Sequence, residues 1–139
     1  MTFRILLFIC TTALFASCSS SGKLQGDASQ PRLVFGNGGG FTGVYTIYQL
    51  DDDGRVYSML PDSSRQKINR ISKKQTRTLF TQADKLKMAY PAFNHPGNIT
   101  WYIQYQTDEE LLEFKWGDSN VPVPAEIKNL YDQLITTVK

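Results

Sequence analysis

Few residues in this sequence could do chemistry, and their spacing argues against most of it. His95 is the only histidine, set in "FNHPGN" between an asparagine and a proline. A Ser-His-Asp or Cys-His arrangement would have to use it as the base. No serine lies in the Gly-x-Ser-x-Gly context of a nucleophile elbow. A zinc site takes about three protein ligands, and one histidine among scattered carboxylates does not supply them. Asp51, Asp52 and Asp53 before Gly54 suggest calcium. A calcium loop alternates its ligands, however, and three consecutive aspartates cannot all point one way. They read as a solvated hairpin turn, as do Asp108, Glu109 and Glu110. The chain therefore reads as non-enzymatic, with no catalytic residue, metal or cofactor.

The densest unusual feature is "FGNGGGFTGVY", Phe35 to Tyr45, in which five of eleven residues are glycine. Gly38, Gly40 and Gly43 match G-x-G-x-x-G. In a dinucleotide-binding fold that motif follows a strand and opens a helix whose amides hold pyrophosphate. Here it opens "VYTIYQL", a strand by composition, so no nucleotide is expected. Two readings stand. The glycines make a tight or bulged entry into the first strand, with Phe41 turned into the core. Alternatively Gly38, Gly39, Gly40, Phe41, Thr42 and Gly43 form a contact loop for a protein partner. The aromatics of the strands add Tyr48 and Tyr102, which alternation places opposite their aromatic neighbours, either at a surface where a partner would bind or paired across strands on a sheet face.

The elements that must position these residues follow from the hydrophobic pattern. "VYTIYQL" and "RVYSML", joined by "DDDG", form a hairpin signal. "RLVF" before the glycines offers a further strand. "PDSSRQKINR" reads as a polar turn. In the next segment Ser72 and Gln75 make a capping-box signature, and Leu79, Ala83 and Leu86, with Phe80, make an apolar helical stripe. Pro91 is expected to stop that helix. "ITWYIQY" and "LLEFKW" alternate as a second hairpin. Pro124 suits the first turn of a final helix with Ile127, Leu130, Tyr131, Leu134 and Val138 on one side. The expectation is an α+β fold in two layers: an antiparallel sheet of two β-hairpins under two helices, in the order β-β-(β)-α-β-β-α.

The chain opens with Arg4 and an apolar run from Ile5 to Ala16. The run has signal-peptide length and is shorter than the roughly 20 residues a bilayer span requires. "LFASC" resembles a bacterial lipobox, with Phe15 where an aliphatic residue is usual. The resemblance implies a signal peptide over 1–17, lipidation at Cys18 and a flexible lipidated tether over 18–30 before a single domain at 31–139. Several acyl chains anchor stably, because each buried CH2 contributes about 0.8 kcal/mol. Cys10, the only other cysteine, lies in the signal segment, so no disulfide is expected. Absence of aspartate after Cys18 points to the outer membrane of a bacterial envelope. Net charge is +2, and no basic stripe that would bind nucleic acid is expected.

"GGGFTGVY", the following helix, "ITWYIQY", "LLEFKWGD" and "VPAEIKNLYDQLI" together resemble the layout of the emfourin family, small inhibitors of thermolysin-like metalloproteases. The sharp motif is Gly39-Gly40-Phe41 with Gly43. The resemblance implies that this loop enters a protease cleft, although the chain has a longer first hairpin around "DDDG". Two functions are carried forward: a lipid-anchored protein-binding or structural accessory module of the envelope, and an emfourin-like inhibitor. The expected partners are the membrane, through Cys18, and an envelope protein or a protease.

Overall fold

The glycine-rich strand that follows Pro31 is the middle of a sheet, and the rest of the fold is arranged around it. The structure, a computed structural model, describes residues 30–139. The segment expected to be a signal peptide, Cys18 and the expected tether up to residue 29 lie outside the described residues. The strands are β1 (Arg32–Gly39), β2 (Val44–Asp51), β3 (Arg55–Met59), β4 (Arg65–Arg70), β5 (Phe93–His95), β6 (Ile99–Gln106) and β7 (Leu111–Trp116). The helices are α1 (Lys73–Ala89), between β4 and β5, and α2 (Ala125–Thr136), after β7. They make one α+β sheet of seven strands, ordered β4-β3-β2-β1-β6-β7-β5.

Side chains at alternate positions send one face of the sheet to the helices. Leu33 and Phe35 of β1, Leu50 of β2, Val56 of β3, Ile103 and Tyr105 of β6, and Leu112, Phe114 and Trp116 of β7 are buried there. Leu79, Ala83 and Leu86 of α1 and Ile127, Leu130, Tyr131 and Leu134 of α2 complete the same cluster. Both helices therefore cover one face and leave the other open. Ser72 caps α1, its Oγ accepting the Gln75 N–H at 3.2 Å, and the helix ends at Ala89, two residues short of Pro91. Pro124 is the N-cap of α2 rather than a residue of its first turn, and its carbonyl accepts the Lys128 N–H at 3.1 Å.

Three expectations need correction. The sheet is mixed, because β5 runs parallel to β7 while the other pairings are antiparallel. Residues 65–70, read as a turn, form the edge strand β4. Its composition is polar because little of it is covered, but Asn69 donates to the Thr137 carbonyl at 2.8 Å and ties it to the end of α2. Finally, β1 does not stop at Phe35. It runs on through Gly36, Gly38 and Gly39, held between β2 and β6 on both edges. The order is ββββαβββα rather than β-β-(β)-α-β-β-α.

Candidate functional site

The glycine-rich stretch divides into two parts. Gly36 and Gly38 are strand residues whose missing side chains point to the open face. A Cβ on Gly36 would collide with the Thr46 carbonyl, and the Tyr102 hydroxyl would lie 3.1 Å away. A Cβ on Gly38 would run into the Tyr45 ring. Tyr102 sits opposite Gly36 and Tyr45 opposite Gly38 in the β-ladder. The rings thus fill the space that the glycines leave, on a backbone no larger residue could share. This half of the stretch answers a packing need.

Residues 40–43 form the turn between β1 and β2, with both Gly40 and Gly43 at positive φ. Only glycine adopts that conformation without a steric cost. The Gly40 N–H donates to the Asn98 carbonyl at 2.6 Å, and Gly43 donates back to the Gly40 carbonyl at 3.3 Å. The Val44 N–H reaches Thr42 Oγ1 at 3.5 Å. The turn is therefore tied to the start of β6 as well as to itself. At its tip Phe41 is fully exposed, at 108% of its reference surface. The alternative in which Phe41 turns into the core is not what the chain does.

Phe41 is not isolated. Val44, Tyr45 and Ile99 are also exposed, and the ladder brings them together, because Gly39 pairs with both Val44 and Ile99. Ile99 and Val44 lie on the helix-bearing side of the sheet, but past the end of the helix cover. The result is an apolar tip at one end of the domain. Water exposure of a large aromatic has no folding benefit, and clustered exposure of this kind marks interaction surfaces.

The tip continues into a groove of about 530 Å³ on the open face. Tyr45 joins the two, and Tyr102, Ile47, Thr100, Gln104 and Lys115 line the groove further in. Tyr102 forms part of its floor and is 7% exposed, so the expectation of an exposed ring is corrected. Its hydroxyl donates to the Thr46 carbonyl at 3.4 Å. Burial pushes its pKa up to about 12, so the group stays neutral and acts as a donor. Tyr48 is also corrected. It faces the helices, half-buried against Phe35 with ring centroids 5.7 Å apart. Alternation assigned Tyr48 to the opposite face from Tyr45, but gave no sign of which face the helices would cover.

Val44, Tyr45 and Ile99 were missed in the sequence as surface residues because each sits in an alternating strand that reads as core. Their positions beside the glycines, at the ends of β1 and β6, were the available signal. His95 stands between Asn94 and Pro96, two further residues that line the groove, whereas Asp51 to Asp53 lie at the opposite end of the sheet. The His95 ring packs on Phe93 at 4.9 Å in β5. Asp53 takes the Arg55 N–H at 3.1 Å and the Arg55 guanidinium at 2.6 Å, while Asp51 accepts from Gln49 at 2.6 Å. Among the described residues no three of His, Cys, Asp and Glu converge as a metal site would require, and no helix is long and apolar enough to cross a membrane. No family model and no curated protein matches the chain.

Proposed function

We propose that this protein is a lipid-anchored, non-enzymatic binding module of the bacterial envelope, and that the tip Gly39–Gly43 is its contact loop. The observation that carries the reading is Phe41, fully exposed on a turn whose backbone is fixed by hydrogen bonds. An aromatic anchor on a pre-ordered loop binds without a large ordering cost, which is how few residues supply most of an interface's energy. Val44, Tyr45 and Ile99 form the surround that would exclude water from it. Attachment of lipid to Cys18 is part of the reading and rests on the sequence before the domain.

The test compares the native protein with Phe41→Asp after chemical crosslinking in cells. Adducts of the native chain should disappear in the variant while its thermal unfolding is unchanged. Adducts that persist would move the contact surface away from the tip.

A specific observation also favours the emfourin-like reading. The turn joins the ends of two neighbouring strands and offers one fully exposed aromatic side chain, Phe41, as a residue that could enter a cleft. Titration of thermolysin-like metalloproteases with the native protein and with Gly40→Val/Phe41→Ala tests it. Stoichiometric inhibition lost in the variant supports an inhibitor, and no inhibition by the native protein leaves the binding module.

A further inference from the structure

The near-neutral total charge conceals a segregation. Between Arg55 and Arg77 the chain carries seven basic residues and one acidic residue, Asp62. The fold gathers five of them, Lys67, Arg70, Lys73, Lys74 and Arg77, along the edge strand β4 and the opening of α1, and all five are exposed. Among the described residues none of the five forms an ion pair, whereas Arg55 is held by Asp53 and Arg65 by Asp51.

Two of these placements are unfavourable on their own. Lys73 and Lys74 occupy the first turn of α1, which has no acidic residue. The positive end of the helix dipole repels them there. Arg70 lies directly opposite Arg55 in the β3–β4 ladder, a like-charge pair that weakens a sheet. An anionic partner would relieve both.

The position of this basic corner suggests the partner. Pro31, where the domain begins, shares a surface depression with Lys73 and Arg77. Arg32, where β1 starts, is fourteen residues after Cys18, so a lipid on Cys18 lies at most about 50 Å from it. The basic corner is at the end of the domain where the chain from Cys18 enters. The Phe41 tip is at the other end of β1, eight residues away, or about 26 Å along the strand.

We propose that the corner formed by Lys67, Arg70, Lys73, Lys74 and Arg77 docks on the anionic phospholipid surface that holds the anchor, and so points the Phe41 tip away from the membrane. The inference rests on lipidation at Cys18. The anchor supplies a high local concentration, so a weak contact suffices. Each cation beside an anionic leaflet raises the docked population about fivefold. The same end of the domain carries acidic groups: Asp52 and Asp53 beside the corner, and Asp108, Glu109 and Glu110 in the turn after β6. These last lie across β1 from the corner, on the β6–β7 side of the sheet. The domain therefore leans on its β4–α1 side and lifts the β6–β7 turn.

The full chain, lipidated in cells, is reconstituted in vesicles of phosphatidylcholine alone or with phosphatidylglycerol, and lysine acetylation rates are read by mass spectrometry. On the anionic vesicles Lys73 and Lys74 should acetylate about fivefold or more slowly, with Lys128 unchanged. The protection should vanish at about 1 M salt, where the Debye length is about 3 Å. Arg70→Gln/Arg77→Gln, at exposed positions that leave the fold intact and both reporter lysines in place, should lose most of it. Equal rates on the two vesicles, or protection indifferent to salt, would overturn the proposal and return the corner to an acidic protein partner. A purified chain without lipid on Cys18 contradicts the anchoring and the proposal with it. A lipidated chain with unprotected lysines contradicts the docking alone.

Discussion

Gly36 and Phe41 lie close together in one glycine-rich stretch, yet opposite demands fix them. Gly36 is dictated by its neighbours, because a methyl group there meets a backbone carbonyl that cannot move without breaking the β1–β2 ladder. Gly36→Ala should cost about 3 kcal/mol in a denaturant titration, the upper end of the usual cost of overpacking, because the obstacle is backbone. Phe41 touches no core, and Phe41→Ala should change stability by less than about 0.5 kcal/mol. A large loss in Phe41→Ala would mean that the ring is packed and the contact-loop reading is wrong. The tyrosines give a pH signature at the same scale. Burial pushes Tyr102, Tyr105 and Tyr131 up to about 12. Above the ordinary tyrosine pKa of about 10 the unfolded chain loses these protons while the folded chain keeps them. The native state then binds more protons, so the tyrosines' contribution to stability should be level below pH 9 or so and fall between about pH 10 and pH 12. Unfolding midpoints measured across that window check the sign.

The elements that could be read in advance were those whose own side chains alternate or recur. The apolar stripes of α1 and α2 are legible, and so is the β6–β7 hairpin, where Ile103 and Tyr105 face Phe114 and Leu112. What defines β4 and β5 lies outside them. Arg65–Arg70 becomes a strand because β3 offers it a backbone ladder and α2 offers Asn69 an end to bind. Phe93–His95 becomes one through pairing with β7 over three residues, too few to show a period. The far half of β1 was hidden for another reason: its glycines carry no side-chain pattern, and the rings that cover them come from β2 and β6. The turn after β1 was readable as glycine-rich, with its tip residue Phe41 either exposed or buried, and its apolar neighbours were not readable as surface, since exposure of Val44 and Ile99 depends on where the helices end. Two substitutions test the elements that were read. Ser72→Ala removes the α1 cap and should cost about 1 kcal/mol. Phe114→Ala, with the ring fully buried between sheet and helices, should cost about 3 to 5 kcal/mol. Thermal or denaturant unfolding of each variant checks both figures, and a Phe114→Ala loss no larger than that of Ser72→Ala would place the centre of the core elsewhere.

At the scale of the whole molecule the two ends of β1 differ in chemistry. One end receives the chain from Cys18 and carries the basic corner, which forms no ion pair among the described residues, beside an acidic turn. The other carries Phe41, Val44, Tyr45 and Ile99 and opens into the groove on the uncovered sheet face. A membrane-anchored module needs such an arrangement if it is to reach a partner without burying its own contact surface against lipid. The expectation of no basic stripe followed the total charge and missed its distribution, because the run from Arg55 to Arg77 is balanced by acids elsewhere in the chain. The central claim is that the Phe41 end is where a partner sits. It is tested most directly by placing a photoreactive benzoylphenylalanine at position 41 and, separately, at position 88, where Met88 is also open to solvent on α1. Illumination of intact cells should give a discrete adduct from position 41 and none of the same mass from position 88. No adduct from position 41, or the same adduct from both positions, would contradict the account.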